Sequence, residues 1–411
     1  MNFPINRVRE RFPALKRIHN GKPAVYFDGP GGTQFLDSAI EAVSNYMTSG
    51  GSNRHGNFPT TPTGQETEQL ISKARDDMKT LLNAWDHEVA FGLNATSLMF
   101  HVSRTLSRQW NEGDEIILTE LDHHANIDTW RSAAIDRNVV VKYVPICTET
   151  LAFDFDALAN LIAPKTRLIA IGAASNCIGT TIDVKAVSKM AKKAGALLAV
   201  DAVHAIPHMY VDMEDWGIDM LFASAYKFFA AHIGMAVIQK EVFKALDVYK
   251  IAPASDSAPD CLEIGTQSHE SIPSVSAAVQ FIVELGTGNS LKEQIISGYK
   301  AIWEYEESIA DYIRTELSKI NGITLYQANE NTLKTPTIAF RAQGTSPHDF
   351  CVRMCEEHSV FIASGNFYAK TLAERLNVLD SGGFIRAGLA PYNTKEEADR
   401  FLAGVREIMS K

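Results

Sequence analysis

The residues best placed to do chemistry are an aspartate and a lysine at the ends of two neighbouring apolar runs. Asp201 closes Leu197–Asp201 (LLAVD). The run Asp219–Ala223 (DMLFA) leads into Ser224-Ala-Tyr-Lys227, then the small residues Ala230, Ala231 and Gly234. A lysine just after a buried strand loses much of its water shell. Desolvation disfavours the ammonium, lowers the pKa and leaves an amine that attacks carbonyls. An aspartate one strand away can hold a ring nitrogen in its protonated form. These are the two groups that pyridoxal 5'-phosphate needs from a protein: a Schiff-base lysine and a partner for the pyridinium nitrogen. A surface lysine after a strand, with an aspartate capping the next turn, would give the same local pattern.

Other strand ends carry polar groups as well. Leu93-Asn-Ala-Thr-Ser97 precedes an amphipathic stretch with Met99, Val102, Leu106 and Trp110. Backbone N–H groups at Ala95 and Thr96 would suit a phosphate there, and Thr96 or Ser97 adds a hydroxyl; a plain helix cap is the alternative. Glu120-Leu-Asp-His-His-Ala-Asn126 follows another run. Adjacent histidines do not face one another in a helix or strand, so the pair does not read as a metal site. His123 could instead stack on an aromatic cofactor. Asn176, in Ser175-Asn-Cys-Ile-Gly179, could bond a ring substituent. Arg54 and His55, in Gly50-Gly-Ser-Asn-Arg-His-Gly56, could meet an anionic side chain or lie in an exposed polar loop. Polar groups converging on four strand ends are more specific than any one of them.

The elements that must position these residues read as alternating strands and helices. Strands are expected at 88–92, 115–119, 139–144, 167–172, 197–201, 219–223 and 235–239, mostly continuous apolar runs, as in a sheet buried on both faces. Helices are expected after Ser38-Ala-Ile-Glu41 and Thr63-Gly-Gln-Glu66, read as capping boxes, and over 183–194. Ile40, Val43, Tyr46 and Met47 would face inward on the first. This order predicts an α/β fold whose mainly parallel sheet binds ligands beyond the carboxyl ends of its strands. After about residue 260 the pattern shifts to a long helix at 290–320, short strands at 335–341 and 359–363, and a last helix capped by Thr394 and Glu397. The expected division is an N-terminal segment (1–22) packed on the small domain, a large α/β domain (23–285) and a small α+β domain (286–411).

Composition narrows the partners. The chain has 411 residues, 45% hydrophobic and 21% charged, with a net charge of −10. Its acidic balance gives no electrostatic footprint for nucleic acid. No apolar run approaches the length of a membrane span, and the N-terminus does not read as a secretory signal. Five scattered cysteines suit a reducing cytoplasm.

In sequence the chain resembles the class V aminotransferase family, in its cysteine desulfurase-like group of fold-type I pyridoxal-phosphate enzymes. The resemblance rests on Tyr26-Phe-Asp28, Asp122-His-His-Ala-Asn126, Ser175-Asn176, Val200-Asp201, Ser224-Ala-Tyr-Lys227, Gly265-Thr266 and the stretch from Arg386 to Thr394. It implies that Lys227 carries the cofactor, Asp201 pairs with its ring nitrogen and His123 stacks on the ring. Asn176 and His204 would lie near the ring's phenolic oxygen, His204 standing where relatives usually carry glutamine. Ala95, Thr96 and Ser224 would hold the phosphate, Thr266 would reach the phosphate of a neighbouring subunit in a homodimer, and Arg386 would clamp the substrate carboxylate.

Two departures bear on the reaction. Cysteine desulfurases need a mobile cysteine, in the longer-looped branch within Arg-x-Gly-His-His-Cys-Ala. The equivalent stretch here is Ala363-Ser-Gly-Asn-Phe-Tyr-Ala369, so Tyr368 takes the cysteine's place, and a phenol cannot accept sulfur as a persulfide. Relatives also place histidine before the lysine, where this chain has Tyr226. Cys351 and Cys355 read as one face of a helix opened by Ser346, and Cys177 as a second-choice thiol. The expectation is a lyase acting on an α-amino acid, by β-elimination or C–S cleavage, without persulfide transfer. An epimerase or racemase, a transaminase, a desulfurase using another cysteine and a non-catalytic scaffold are the alternatives. A scaffold would need none of Lys227, Asp201, His123 and Arg386.

Overall fold

The computed structural model describes residues 3–51, 53 and 60–410. Its centre is a seven-stranded sheet: β1 (His87–Gly92), β2 (Glu115–Thr119), β3 (Val140–Val144), β4 (Thr166–Gly172), β5 (Leu197–Asp201), β6 (Met220–Ser224) and β7 (Gly234–Gln239), in the order β1-β7-β6-β5-β4-β2-β3. Strands β2 to β6 pair in parallel, while β7 runs antiparallel to both neighbours. The apolar runs are continuous because both faces are covered. Ile169, Ile171, Leu198, Val200, Leu221 and Ala223 enter one core, whereas Leu168, Ala170, Ala199, Met220 and Phe222 enter the other. Helices Asp37–Thr48, Pro62–Leu81 and Ile272–Leu285 pack together, as do Ala95–Leu106 and Ala125–Ile135.

The second sheet is antiparallel: β8 (Ile323–Tyr326), β9 (Thr337–Ala342), β10 (Ala363–Gly365) and β11 (Phe384–Gly388), in the order β8-β9-β11-β10. Its core holds Ile338, Phe340, Ile385 and Phe401, together with Val25 and Phe27 from near the start of the chain. Helix Leu291–Leu317 serves both cores, with Ile295, Tyr299 and Ile302 in one and Ile309, Ile313 and Leu317 in the other. The N-terminal segment touches both parts. Arg9 donates to Tyr392 O and Glu397, while Arg11 pairs with Asp37 and Glu284.

The expected helix openings at Ser346 and Thr394 form, and Asp183 and Ser290 also cap the helices that they precede. Those at Ser38 and Thr63 do not. The first helix starts at Asp37 with no side-chain cap, and Thr61 caps the second by accepting from Gly64 N–H. Of the four residues expected inward on the first helix, Tyr46 is buried while Ile40 and Met47 are exposed. No helix among the described residues is long and apolar enough to cross a membrane.

Candidate active site

The carboxyl ends of β1, β2, β4, β5 and β6 lie at one edge of the sheet, and β7 begins there, Gly234 pairing with both Gly92 and Ser224. A side chain at Gly234 would put its Cβ 2.3 Å from the Asn94 carbonyl carbon, so glycine lets β7 start against the turn that opens the next helix. That turn is capped by Asn94, whose Oδ1 accepts from Ser97 N–H at 2.8 Å. Ala95 N–H donates to Ser224 Oγ at 3.1 Å, and Thr96 lies exposed in the first helical turn. This joins the ends of β1 and β6 into one polar cradle at a helix N-terminus.

Lys227 follows β6 in a short 3-10 turn, and its Nζ donates to Pro30 O. Burial pushes its pKa down to about 7, helped by Arg386 and opposed by Asp201. Burial pushes Asp201 up to about 6, opposed by a bond from Val203 N–H and by the charge on Lys227. Beside it Asp122 is also buried. Its carboxylate accepts from Gly172 N–H and Asn126 Nδ2, each at 2.9 Å, and Trp130 Nε1 fixes Asn126 in turn. Burial raises Asp122 to about 7, with Asp201 adding to the rise. The next residue, His123, is thereby pinned at the site. Burial pulls its imidazole down to about 4, with Lys227, His124 and Arg386 adding to the fall, so the ring is neutral near pH 7.

The opposite wall comes from the second sheet. Arg386, on β11, is buried, and its guanidinium stacks on Phe367 at 3.8 Å from the ring centre. It donates to Asn176 O at 2.7 Å. Burial lowers its pKa to about 10, opposed by Cys177 and Asp28. Asp28 itself is raised to about 6, and its Oδ1 is buried without a hydrogen-bond partner. Asn176 Nδ2 donates to Phe367 O at 2.8 Å, while its Oδ1 is buried and unpartnered. Tyr368 is 72% exposed, with its ring 5.2 Å from that of His123. Tyr226 stacks on His232 at 4.7 Å with the rings 10° apart.

The structure thus gathers Lys227, Asp201, His123, Asn176, Ser224, Ala95, Thr96, Arg386 and Tyr368 around one edge. His204 is nearby, but its Nε2 bonds Thr335 Oγ1 at 3.1 Å and Thr337 Oγ1 at 2.9 Å. Thr266 is exposed and lines a cavity of about 320 Å³ together with Ser97, His101 and His232. Arg54 and His55 lie outside the described residues.

A family model described as Aminotransferase class-V matches residues 25–401. The chain belongs to this family. It is 30% identical to cysteine desulfurases of Yersinia pestis (strain Pestoides F) and Yersinia pseudotuberculosis serotype O:3 (strain YPIII), over 99% of this chain and 99% of each relative. Two solved structures share the fold. The cysteine desulfurase CsdA (S-sulfonic acid) from Escherichia coli has a TM-score of 0.84 at 23% identity, and the apo cysteine desulfurase from Thermococcus onnurineus NA1 has 0.87 at 21%. Each covers 100% of this chain and 99% of the other. The protein is therefore a cysteine desulfurase-like, pyridoxal 5'-phosphate-dependent enzyme of the class V family, with the fold-type I architecture.

The residues fit that cofactor. A class V enzyme needs a desolvated amine, and half-buried Lys227, lowered to about 7, is one. It needs a carboxylate within the same low-dielectric pocket, which Asp201 provides. Asn176 Oδ1 stands as a buried acceptor awaiting a donor. Sequence reasoning named no role for Asp122, Asp28 or Phe367. Asp122 had one visible signal, a carboxylate directly before His123 at a strand end; Phe367 had none.

Proposed function

We propose that the enzyme is a lyase that eliminates a β-substituent from an α-amino acid, giving a keto acid and ammonia, and that it passes no sulfur to a cysteine of its own. One observation carries the second part. The cysteine that adjoins the site, Cys177, is fully buried, and burial pushes its thiol up to about 12, so it offers no thiolate near pH 7. The loop facing the site presents Tyr368, and Cys351, on helix Pro347–His358, is likewise raised to about 12.

In this reading Lys227 holds the cofactor, Asp201 keeps a proton on the ring nitrogen and His123 covers the ring face. Ala95, Thr96 and Ser224 hold the phosphate, and Asn176 lies by the ring oxygen. The bound cofactor supplies a sink for the electrons left at Cα when its proton departs. Arg386 fixes the substrate carboxylate, since a guanidinium already stacked on Phe367 keeps its N–H edge in one plane. The neutral Lys227 amine takes the Cα proton, its low pKa keeping about half of it unprotonated near pH 7 where an ordinary lysine would be almost wholly charged. Tyr368 shields the mouth. Leu93 and Ile264, exposed beside Thr266, suit burial against a second copy in a homodimer, where Thr266 would reach the other phosphate site. Five unpaired thiols suit a reducing cytoplasm.

The test is to supply the purified holoenzyme with L-cysteine, S-methyl-L-cysteine and a panel of other amino acids, and to identify products by mass spectrometry. Keto acid with ammonia supports the lyase. Alanine with sulfane sulfur from L-cysteine would refute it in favour of a desulfurase. Deuterium uptake at Cα without loss of amino acid would refute it in favour of an epimerase, and keto acid without ammonia in favour of a transaminase.

A further inference from the structure

Three titratable side chains lie inside the molecule behind Asp201 and take no part in the chemistry above. His204 is 4% exposed, His208 2% and Glu306 1%. His208 Nδ1 is 2.9 Å from Glu306 Oε2. The rings of His208 and His204 meet edge to face at 5.4 Å and 72°. His204 Nε2 then bonds the hydroxyls of Thr335 and Thr337. Withdrawing such groups from water costs free energy that an apolar cluster would not. Their placement is explained by what they join. Both histidines lie on the turn that follows Asp201 at the end of β5. Glu306 belongs to the helix shared by both cores, and Thr337 opens β9, which pairs with β11 through Thr337–Gly388 and Ala339–Arg386.

We infer that His204, braced by His208 and Glu306, is a positioning residue that sets Arg386 relative to Asp201 through Thr337. The two anchors of an amino acid on its cofactor come from different sheets here. Their spacing therefore depends on contacts between the sheets. A directional bond from imidazole to hydroxyl fixes that spacing, whereas an apolar contact would let the sheets slide. The inference rests on reading Arg386 as the carboxylate clamp.

The test measures binding of L-alanine, which has no β-leaving group, to the holoenzyme by the shift of its visible absorption band. Thr337→Val keeps the shape and removes the hydroxyl; Thr337→Ser keeps the hydroxyl. Thr337→Val should weaken L-alanine about tenfold, with cofactor content and melting temperature unchanged, while Thr337→Ser stays within about twofold. Equal affinity in Thr337→Val and the unmodified enzyme overturns the inference. If Thr337→Val loses cofactor, Glu306→Gln decides, with about threefold weakening expected and unchanged affinity overturning it. Arg386→Lys is measured alongside. Undiminished L-alanine binding there, or no response in the unmodified enzyme, overturns the clamp reading and this inference with it. Weakening in Arg386→Lys but not in the Thr337 and Glu306 variants leaves the clamp standing and removes only the inference.

Discussion

The two walls of the site are built differently. On the cofactor side the groups stand on or just after strand ends of the large sheet: Ser224 and Asp201 close β6 and β5, and Asp122 is bonded to the backbone at the end of β4. On the substrate side Phe367 and Tyr368 sit in a loop with φ of 52° and 58°, after Gly365 at 133°. Non-glycine residues hold such angles only where their surroundings impose them. Here Asn176 Nδ2 bonds Phe367 O, His124 N–H bonds Tyr368 O at 2.7 Å, and Arg386 stacks on Phe367. One wall is a consequence of the sheet. The other is a segment clamped by side chains from elsewhere, and it carries Tyr368, which we propose stands where the longer-looped branch of the family has its cysteine. In the proposed reading the first wall holds the cofactor and the second meets the substrate.

The sharpest way to break this contrast is at the cofactor wall. Lys227→Ala should reduce turnover by at least about 10⁴-fold, and full activity in the purified variant would refute the assignment. Arg386→Lys, on the other wall, should leave the bound-cofactor spectrum intact and raise KM about a hundredfold, because an ammonium cannot form the bidentate pair.

The Lys227 pKa gives a signed pH effect. Its value in the fold is depressed to about 7, so the ammonium dominates below that pH and the free amine above it. Capture of pyridoxal 5'-phosphate by the apo protein, followed by stopped-flow absorbance, should therefore speed up as pH rises towards about 7 and then level off. Below that point it should fall about tenfold per pH unit. A midpoint near that of an ordinary lysine would show that the amine is not desolvated.

Changes in the loop should be milder. Tyr368→Ala should alter kcat/KM among amino acids of different side chain by about three- to tenfold, with cofactor affinity unchanged. Equal losses for every substrate would remove Tyr368 from substrate selection. Cys177→Ala should change the rate and products with L-cysteine by less than about twofold, since a buried neutral thiol has no part in the chemistry. Loss of sulfur release in that variant would make Cys177 the acceptor after all.

Much of the first wall was legible in the sequence. Apolar runs ending in Asp201 and Ser224-Ala-Tyr-Lys227 marked both the strands and the edge to search, because a strand buried on two faces must be apolar throughout. The second wall was less so. Tyr368 was visible by its place in a motif, but Phe367 under Arg386 was not, since that contact joins residues far apart in sequence. His204 shows the same limit. The family resemblance placed it by the cofactor's phenolic oxygen, yet Nε2 is committed to two threonines of the other sheet.

By itself, then, the sequence determined the α/β class, the positions of the seven strands to within a residue and the residues that close them. These follow from local periodicity and from the cost of burying polar groups. The tertiary structure alone decided that β7 runs against its neighbours, that Asp122 is buried beside Asp201, that helix Leu291–Leu317 serves two cores and that Arg386 meets Phe367 and Asn176. Periodicity states which face of an element is buried. It carries no record of which distant element supplies the partner, because that depends on the path of the whole chain.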